Sequence, residues 1–540
     1  MHKFWKSGDP YVWLSGVALM FCLLMIAGLL YLIAAKGLGF FWPSDIAVLE
    51  LKDGTKLMGV ITGHEKVKGY NAAPDAPEIY RTQLKIGNRD LYGLDFKWVD
   101  DDDIASISHP EYAVVLERRE WGNMYGFIKD VTENGQIVCS GNEECWPVLE
   151  TQIPKYQEIY DEIKSIEKGA IGGINMNIDN LRLEIKGLQL EGGKNQEKIS
   201  AVEARIKEEE NKYKEQEGKL SLLYEDFNKE KFVMTSIDGR EKEMPVGTVV
   251  NAYRPNSMNG LQKLTLYLSN VWAFVSQEPR EANTEGGVFP AIFGTVMMVF
   301  LMSIVVLPFG VLAALYLREY AKQGTLVRLV RICVNNLAGV PSIVFGVFAV
   351  GFFIYGMGST IDSIFFKEAL PNPTFGTGGI LWASLTLALL TVPVVIVATE
   401  EGLAAVPKEI RDGSLALGAT KFETTWKIVI PSAMPAILTG LILAIARATG
   451  EVAPLMITGV VKLAPQLPID GYFPFVHLER KFMHLGFHIY DVGFQSPNVE
   501  AAKPMVFTTA LLLILIVVVL NLTAIIIRNR LRKKYTTSAV

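Results

Sequence analysis

The sequence predicts a mainly α-helical polytopic membrane protein with an α+β block inserted between its first two spans. Three observations carry this prediction. Half of the 540 residues are hydrophobic and mean hydropathy is +0.25, too apolar for an ordinary water-soluble enzyme. Six apolar stretches are each long enough to cross a bilayer. Charge is unevenly divided: residues 41–285 carry −13 against a total of −5, so the other 295 residues carry +8.

The first apolar stretch, 11–35, is uncharged and longer than a signal-peptide core. No convincing small-residue cleavage site follows, so it reads as an uncleaved span. The others are about 288–316, 332–356, 378–399, 433–460 and 505–527, with interior Pro308, Pro341 and Pro393 tolerable in membrane helices. The chain thus divides into an N-terminus and first span at 1–40, an insertion at 41–285, a core at 286–527 with five spans and a polar loop at 400–431, and a basic tail at 528–540. With the N-terminus inside, the short inner segments hold fifteen Lys and Arg against five in the two short outer loops. That bias predicts both termini and the 400–431 loop on the cytoplasmic side, and the acidic block outside.

Within the block, residues up to about 150 read as short strands of a small barrel or sandwich. VLELKDGTKLMGVI alternates around a Lys-Asp-Gly-Thr turn, and EYAVVLERREWGNMYGFIKDV repeats the look. From about 151 to 230 the period becomes helical. Ile199, Ile206, Tyr213, Leu220 and Phe227 recur every seven residues, Ile174, Ile178, Leu181, Ile185 and Leu188 alternate by four and three, and Gly192-Gly193 lies between the runs. An antiparallel helical hairpin is predicted, with Glu209 and Gln216 interrupting its apolar stripe. Residues 232–256 look like a returning hairpin that closes the β part. Four cysteines make no disulfide framework. Cys139 and Cys145 sit in the outer block, where an oxidising compartment permits a disulfide and a reducing one leaves two thiols. Cys22 and Cys333 read as packing residues in spans.

The loop Glu400 to Pro431, EEGLAAVPKEIRDGSLALGATKFETTWKIVIP, is charged, lies between two apolar runs and is broken at Gly418. Asp412-Gly413-Ser414 is followed by Gly418 after three residues, by Ile428 after nine more, and then by Ile430-Pro431. This spacing resembles the EAA loop of permease subunits of bacterial ATP-driven importers, with Asp, Gly and Ser in place of Glu, Ala and Ala, and Ile in place of Leu. The resemblance implies a short coupling helix that docks into a cytoplasmic ATPase. A loop that merely joins two spans is the plainer reading.

AIARATGEVAPLMITG, four spans further on from the insertion, carries Arg447 and Glu451, four residues apart and able to pair on one helix face. Ionisable groups deep in a span are costly and face a bundle interior or aqueous cavity. Arginine's planar fork suits an oxyanion and stays charged. The pair therefore reads as part of an anion pathway, with a structural ion pair as the alternative. Together with NNLAGVPSIVFG (335–346) and LALGAT, this stretch is similar to the phosphate-specific importer permease of the PstA type over about 288–527. The resemblance implies a type I importer fold of six spans and matches Arg447, Glu451, Pro341 and Ser342 to the family's motifs. Val452 departs from it, where the family usually has Thr, and the 41–285 insertion is not implied by it.

Further partners follow from the resemblance alone: a second permease of the PstC type, two ATPase subunits of the PstB type that bind ATP and Mg²⁺, and a periplasmic binding protein of the PstS type. The expected setting is the bacterial inner membrane, in contact with lipid and not with nucleic acid. Sulfate or molybdate would suit the same arginine, and a membrane-anchored sensor or scaffold is the reading from another class. No GxxxxGK[ST] phosphate loop or nucleophile–base constellation occurs, so no catalysis and no cofactor are expected in this chain. His477, His484 and His488, near Glu479 and Asp491, have partial metal-ligand spacing but read as a polar re-entrant or interfacial helix without a third ligand. Asp100 to Asp103 lack the Gly and terminal Glu of a calcium loop and read as a solvated turn.

Overall fold

A computed structural model of the chain describes residues 8–67, 79–191, 195–496 and 499–536. The chain forms two compact units: a helical unit of Met1–Phe40, Val288–Asp362 and Pro373–Val540, and an α+β unit of Phe41–Gly287 with the short segment Ser363–Asn372. That segment, between the third and fourth spans in sequence, was expected to belong with the permease core.

Among the described residues of the helical unit, six helices are long and apolar enough to cross a membrane: spans 1 to 6 at Asp9–Gly39, Phe289–Tyr320, Ser342–Phe365, Ile380–Ala405, Lys421–Gly450 and Val499–Lys533. Two boundaries differ from the sequence expectation. The stretch expected as a span at 332–356 is divided, because a separate helix Thr325–Leu337 precedes span 3. Pro341 has no amide hydrogen to donate and pushes the residue before it out of the helical region, so the new helix begins at Ser342. The stretch expected at 433–460 ends as a helix at Gly450, and after Glu451 and Val452 a short helix Ala453–Thr458 follows.

Span 4 is the most enclosed of the six and packs on spans 2 and 5, while span 6 packs on spans 5 and 1. Helices in lipid gain nothing from hiding apolar surface from water, so small residues that let backbones approach decide such contacts. A Cβ on Gly402 would lie 2.5 Å from the Ala436 Cβ, and one on Gly440 would lie 2.7 Å from the Ala398 Cβ. Met298, Met302, Leu387, Leu390, Ala444 and Ala448 fill the space between these helices. Three hydroxyls buried in span 4 are satisfied within it: Ser384, Thr386 and Thr391 donate to carbonyls one turn back at 2.6–2.7 Å. The free amides at its start are also met. Gly379, Ile380 and Leu381 donate to the carbonyls of Thr458, Arg480 and Leu478 at 2.9–3.0 Å.

Among its described residues the α+β unit holds two large antiparallel sheets and a two-stranded ribbon, Pro279–Arg280 with Glu285–Gly286. The first has the order β4-β3-β2-β1-β5, from β1 (Ala47–Leu51), β2 (Lys56–Val67), β3 (Ile79–Lys85), β4 (Phe96–Asp100) and β5 (Ile104–Ser108). The second has the order β10-β9-β7-β6-β11, from β6 (Val114–Arg118), β7 (Met124–Glu133), β9 (Glu230–Thr235), β10 (Glu241–Pro245) and β11 (Val249–Tyr253), with β8 (Gln136–Ser140) also on β7. The β1–β2 turn is the expected one. Gly54 takes φ +87° and the Asp53 carboxylate accepts from the Thr55 amide at 2.8 Å. Ile46, Val48 and Met58 meet Ala113, Val115 and Tyr125 between the sheets. The other face of the second sheet is covered by the helix Asn142–Lys164 through Leu149, Ile153 and Tyr156. Covered on both sides, β6 is buried without alternation from Val114 to Leu116.

The predicted hairpin consists of Gly172–Leu190 and Gln196–Phe227. Arg205 reaches Glu184 at 3.4 Å and Tyr224 donates to Glu167 at 2.7 Å, the reversed order of an antiparallel pair. Glu209, a gap in the stripe, hydrogen bonds Lys212 and Asn177. The Gly192-Gly193 turn lies outside the described residues. Cys139 and Cys145 form a disulfide with Cα atoms 5.4 Å apart. In the 100–103 run, Asp101 accepts from His64 at 2.6 Å and from Thr82 at 2.7 Å.

The most buried charge among the unit's described arginines, Arg118, is paired. Arg118 grips both Asp90 oxygens at 2.9 and 3.0 Å and also donates to the Gly122 and Trp121 carbonyls. Burial alone would raise the Asp90 carboxyl, but the Arg118 bonds outweigh it and hold the carboxyl low. Removing one partner strands the other, so Asp90→Ala should destabilise the unit by about 3 kcal/mol. Chemical denaturation of the purified chain followed by hydrogen exchange at β6 and β7 would measure this. Because the folded pKa is depressed, the wild-type advantage should be complete above the unfolded carboxyl value and be lost as pH falls through the lower folded one.

Candidate functional site

The 400–431 loop folds as two short helices around one turn. Lys408–Ala416 carries Asp412 and Gly413 on its exposed side and Ser414 on its buried side. The Ser414 hydroxyl lies 2.9 Å from that of Thr424, joining the first helix to the second. Between them Gly418 takes φ +88°, a left-handed conformation that costs little only for glycine, and nothing lies within 4 Å of where its Cβ would be. Thr420 then caps the next helix reciprocally with Glu423. Ile428 and Pro431 lie half-buried where this helix runs on into span 5.

Three cations fasten the loop to the helical unit. Arg411 pairs with Glu319 at 3.0 Å and donates to the Leu403 carbonyl. Lys421 donates to the Glu319 carbonyl, and Arg331 pairs with Glu400 at 3.0 Å while donating to the Leu317 carbonyl. The loop's far side is apolar and uncovered. Leu417 is 91% exposed, and the stacked rings of Phe422 and Trp426 are more than half exposed. Sequence reasoning weighed the small residues and the cations of this loop and missed these three. The signal was present in a large apolar residue just before the turn and an aromatic pair four apart.

Arg447 lies in the last turn of span 5, where a cation also favours the helix's negative end. Its Nη atoms are 3.4 and 3.5 Å from the Ala338 carbonyl, and Nε is 3.7 Å from Glu451. All three contacts are long, so the guanidinium is held loosely and keeps donors for another acceptor. Glu451 is not on the helix face expected of it. Its backbone is extended, φ −77° and ψ 134°, one residue past the helix end. The pair forms across the break. The 335–346 and 444–459 blocks meet here: beyond the Arg447 contact with Ala338, a Cβ on Gly346 would lie 2.8 Å from the Pro454 Cα. Pro341 and Ser342 start span 3 on the near side of this contact. Val452 stands at the N-cap of Ala453–Thr458, where it supplies no side-chain oxygen; its methyl packs against Gly486.

Residues 306–537 match the family described as binding-protein-dependent transport system inner membrane component. The chain is 30% identical over 253 residues to a probable ABC transporter permease protein, YqgI, of Bacillus subtilis, covering 45% of this chain and 77% of that protein. It belongs to this family of ABC transporter permeases. It is also 38% identical over 172 residues to phosphate transport system permease protein PstA 1 of Mycobacterium tuberculosis, covering 32% of this chain and 50% of that one. A probable PstA of Methanocaldococcus jannaschii is 33% identical over 189 residues, with 35% and 60% covered. The chain thus spans about half to three fifths of these two relatives. Among solved structures it is similar to a chain of the inward-facing MetNI methionine ABC transporter, at 19% identity and a TM-score of 0.33, covering 48% of this chain and 97% of that one. Membership in a transport family weighs against the anchored sensor or scaffold.

In this permease the three histidines between spans 5 and 6 do not converge. His477 is held between Asp470 at 3.0 Å and Glu479 at 3.2 Å. His484 caps the helix Leu485–Tyr490, its Nδ1 accepting from the Gly486 amide at 3.1 Å. That bond fixes the tautomer, leaving the proton on Nε2. His488 lies against Thr509 at 3.5 Å, and neighbouring Asp491 pairs with Lys462 at 3.1 Å. Among the described residues, no three His, Cys, Asp or Glu side chains are grouped to hold a metal.

Burial pushes His484 down to about 3 and His488 to about 4. Both folded values lie below the unfolded 6.5, so the folded chain binds fewer protons. Their contribution is complete above about pH 6.5 and declines as pH falls toward 4. The thermal midpoint of the purified permease should therefore drop across this window. His484→Asn, which keeps an acceptor for the Gly486 amide, combined with His488→Gln should flatten the drop; an unchanged slope would place the acid sensitivity elsewhere.

Proposed function

We propose that this chain is the transmembrane permease subunit of an ATP-driven importer of inorganic phosphate. The observation that carries the reading is Arg447: a permanently charged, loosely held guanidinium at the end of a span, in a chain similar to permeases named for phosphate transport. A crossing anion needs a counter-charge in a low-dielectric path. A guanidinium offers one with several directed donors, and Glu451 restrains it without saturating it. A second permease of the PstC type would complete the pathway, and a PstS-type periplasmic protein would deliver phosphate to it. Two PstB-type ATPase subunits would bind ATP and Mg²⁺ and drive alternating access, this chain contributing no cofactor of its own.

Coupling would run through the 408–431 loop. Leu417, Phe422 and Trp426 supply an apolar surface for an ATPase cleft, and Arg411, Lys421 and Arg331 carry its displacement to span 2. Both termini and this loop would face the cytoplasm of the inner membrane, with the α+β unit periplasmic.

The test is ATP-dependent uptake of radiolabelled phosphate in vesicles holding this chain, a partner permease, the ATPase and the binding protein. Arg447→Gln should abolish uptake while leaving the complex assembled, and excess sulfate or molybdate should compete poorly. Undiminished uptake in the variant would reduce Arg447 and Glu451 to a structural pair. An assembled, ATP-hydrolysing complex that moves no phosphate would overturn the substrate. Gly418→Ala places a side chain in the left-handed region at a cost of about 1–2 kcal/mol with nothing nearby to clash. It should lower uptake per ATP hydrolysed more than it lowers assembly, measured in the same vesicles.

A further inference from the structure

The helix Gly260–Ser276 is apolar on the side that faces away from its own unit. Leu261, Leu264, Leu268, Trp272 and Val275 fall within an arc of about 80° on a 3.6-residue helix. Leu261 is 73% exposed, Leu268 60% and Trp272 70%. The opposite side is fully engaged. Phe274 is buried with its ring 5.3 Å from Phe41, Tyr267 lies 6.2 Å from the same ring, Asn270 donates to the Phe41 carbonyl, and Lys263 pairs with Asp45. Lys263, the helix's single charge, is therefore spent inward, and the exposed side offers only Thr265, Ser269 and Ser276 hydroxyls beside the apolar row. A helix built to face water would carry the reverse pattern.

Covalent connection says what covers this face. Phe41, the inward partner of the helix, follows the end of span 1 at Gly39 by two residues, a reach of about 7 Å. The helix itself ends 13 residues before span 2 begins at Phe289. At 17 residues it is shorter than the roughly 20 a crossing needs, which suits a helix lying along the surface. Exposed Trp42, tilted against Tyr267 at 6.0 Å, and Trp272 add amphipathic rings of the kind enriched at membrane boundaries. We propose that Gly260–Ser276 is an interfacial helix whose Leu261–Leu268–Trp272 row lies in the lipid headgroup–acyl boundary, anchoring the α+β unit to the bilayer. The proposal is independent of the transported substrate.

The test uses the assembled transporter in phosphatidylcholine nanodiscs, with Cys22→Ser and Cys333→Ser and a single environment-sensitive fluorophore at Leu268→Cys, Trp272→Cys or, for reference, Glu210→Cys on the exposed hairpin. These positions are exposed, so labelling leaves the fold intact. At 268 and 272, a doxyl-labelled phosphatidylcholine should quench several-fold more than aqueous iodide, and at 210 the order should reverse. Iodide quenching at 268 and 272 equal to that at 210 would show a water-facing helix and overturn the proposal. Protection from both quenchers would overturn it as well, by showing another protein chain over this face.

Discussion

The arrangement of the helical unit depends on how closely span 4 can approach its neighbours. Gly402 and Gly440 leave no room for a methyl group against Ala436 and Ala398. In lipid such contacts take the place of the hydrophobic effect, because a looser pair would merely exchange protein methyls for acyl chains. With spans 4 and 5 held at this separation, the end of span 5 arrives beside the loop before span 3, and Arg447 comes to the Ala338 carbonyl. The same packing leaves the start of span 4 enclosed, and its free amides are met by the carbonyls of Thr458, Leu478 and Arg480. The irregular segment between spans 5 and 6 thus has a structural task of its own: it ends the span 4 hydrogen-bond ladder where water is scarce.

The two ends of the helical unit are built with opposite economies. Around the 408–431 loop, Arg411 and Lys421 tie the two helices to span 2, and the uncovered surface is apolar. Around 459–491, carboxylates pair with His477, Arg480 and Lys462, and His484 and His488 are kept neutral by burial. One end leaves large apolar side chains exposed. The other encloses its polar groups.

Much of this was legible because the controlling residues act locally. The run lengths of apolar residues gave six spans, and Gly418 marked where the 400–431 loop breaks. The misreadings share a cause: hydropathy reports composition and not where a helix must stop. Pro341 moved the start of span 3 by about ten residues inside a continuously apolar stretch, and the break at Glu451 put that carboxylate off the helix while leaving it near Arg447. Gly260–Ser276 escaped notice because it lies within an acidic block whose average conceals one apolar helix. The inclusion of Ser363–Asn372 in the α+β unit has no signal in local periodicity, since it is a tertiary association between segments far apart in the chain.

The second sheet of the α+β unit interleaves two stretches of chain. β6 and β7 come from residues 114–133, and the strands that flank them, β9 and β11, from 230–253. An emerging polypeptide therefore makes half a sheet, with both edges unpaired, and must extend by about a hundred residues before either edge is closed. Such high contact order slows folding and prolongs the interval in which bare edges can pair with a neighbouring chain. The antiparallel hairpin shortens that interval, because it folds from local contacts and brings residue 230 back toward residue 142. It works as a splint: the intervening chain is shortened before the long-range strands have to find each other.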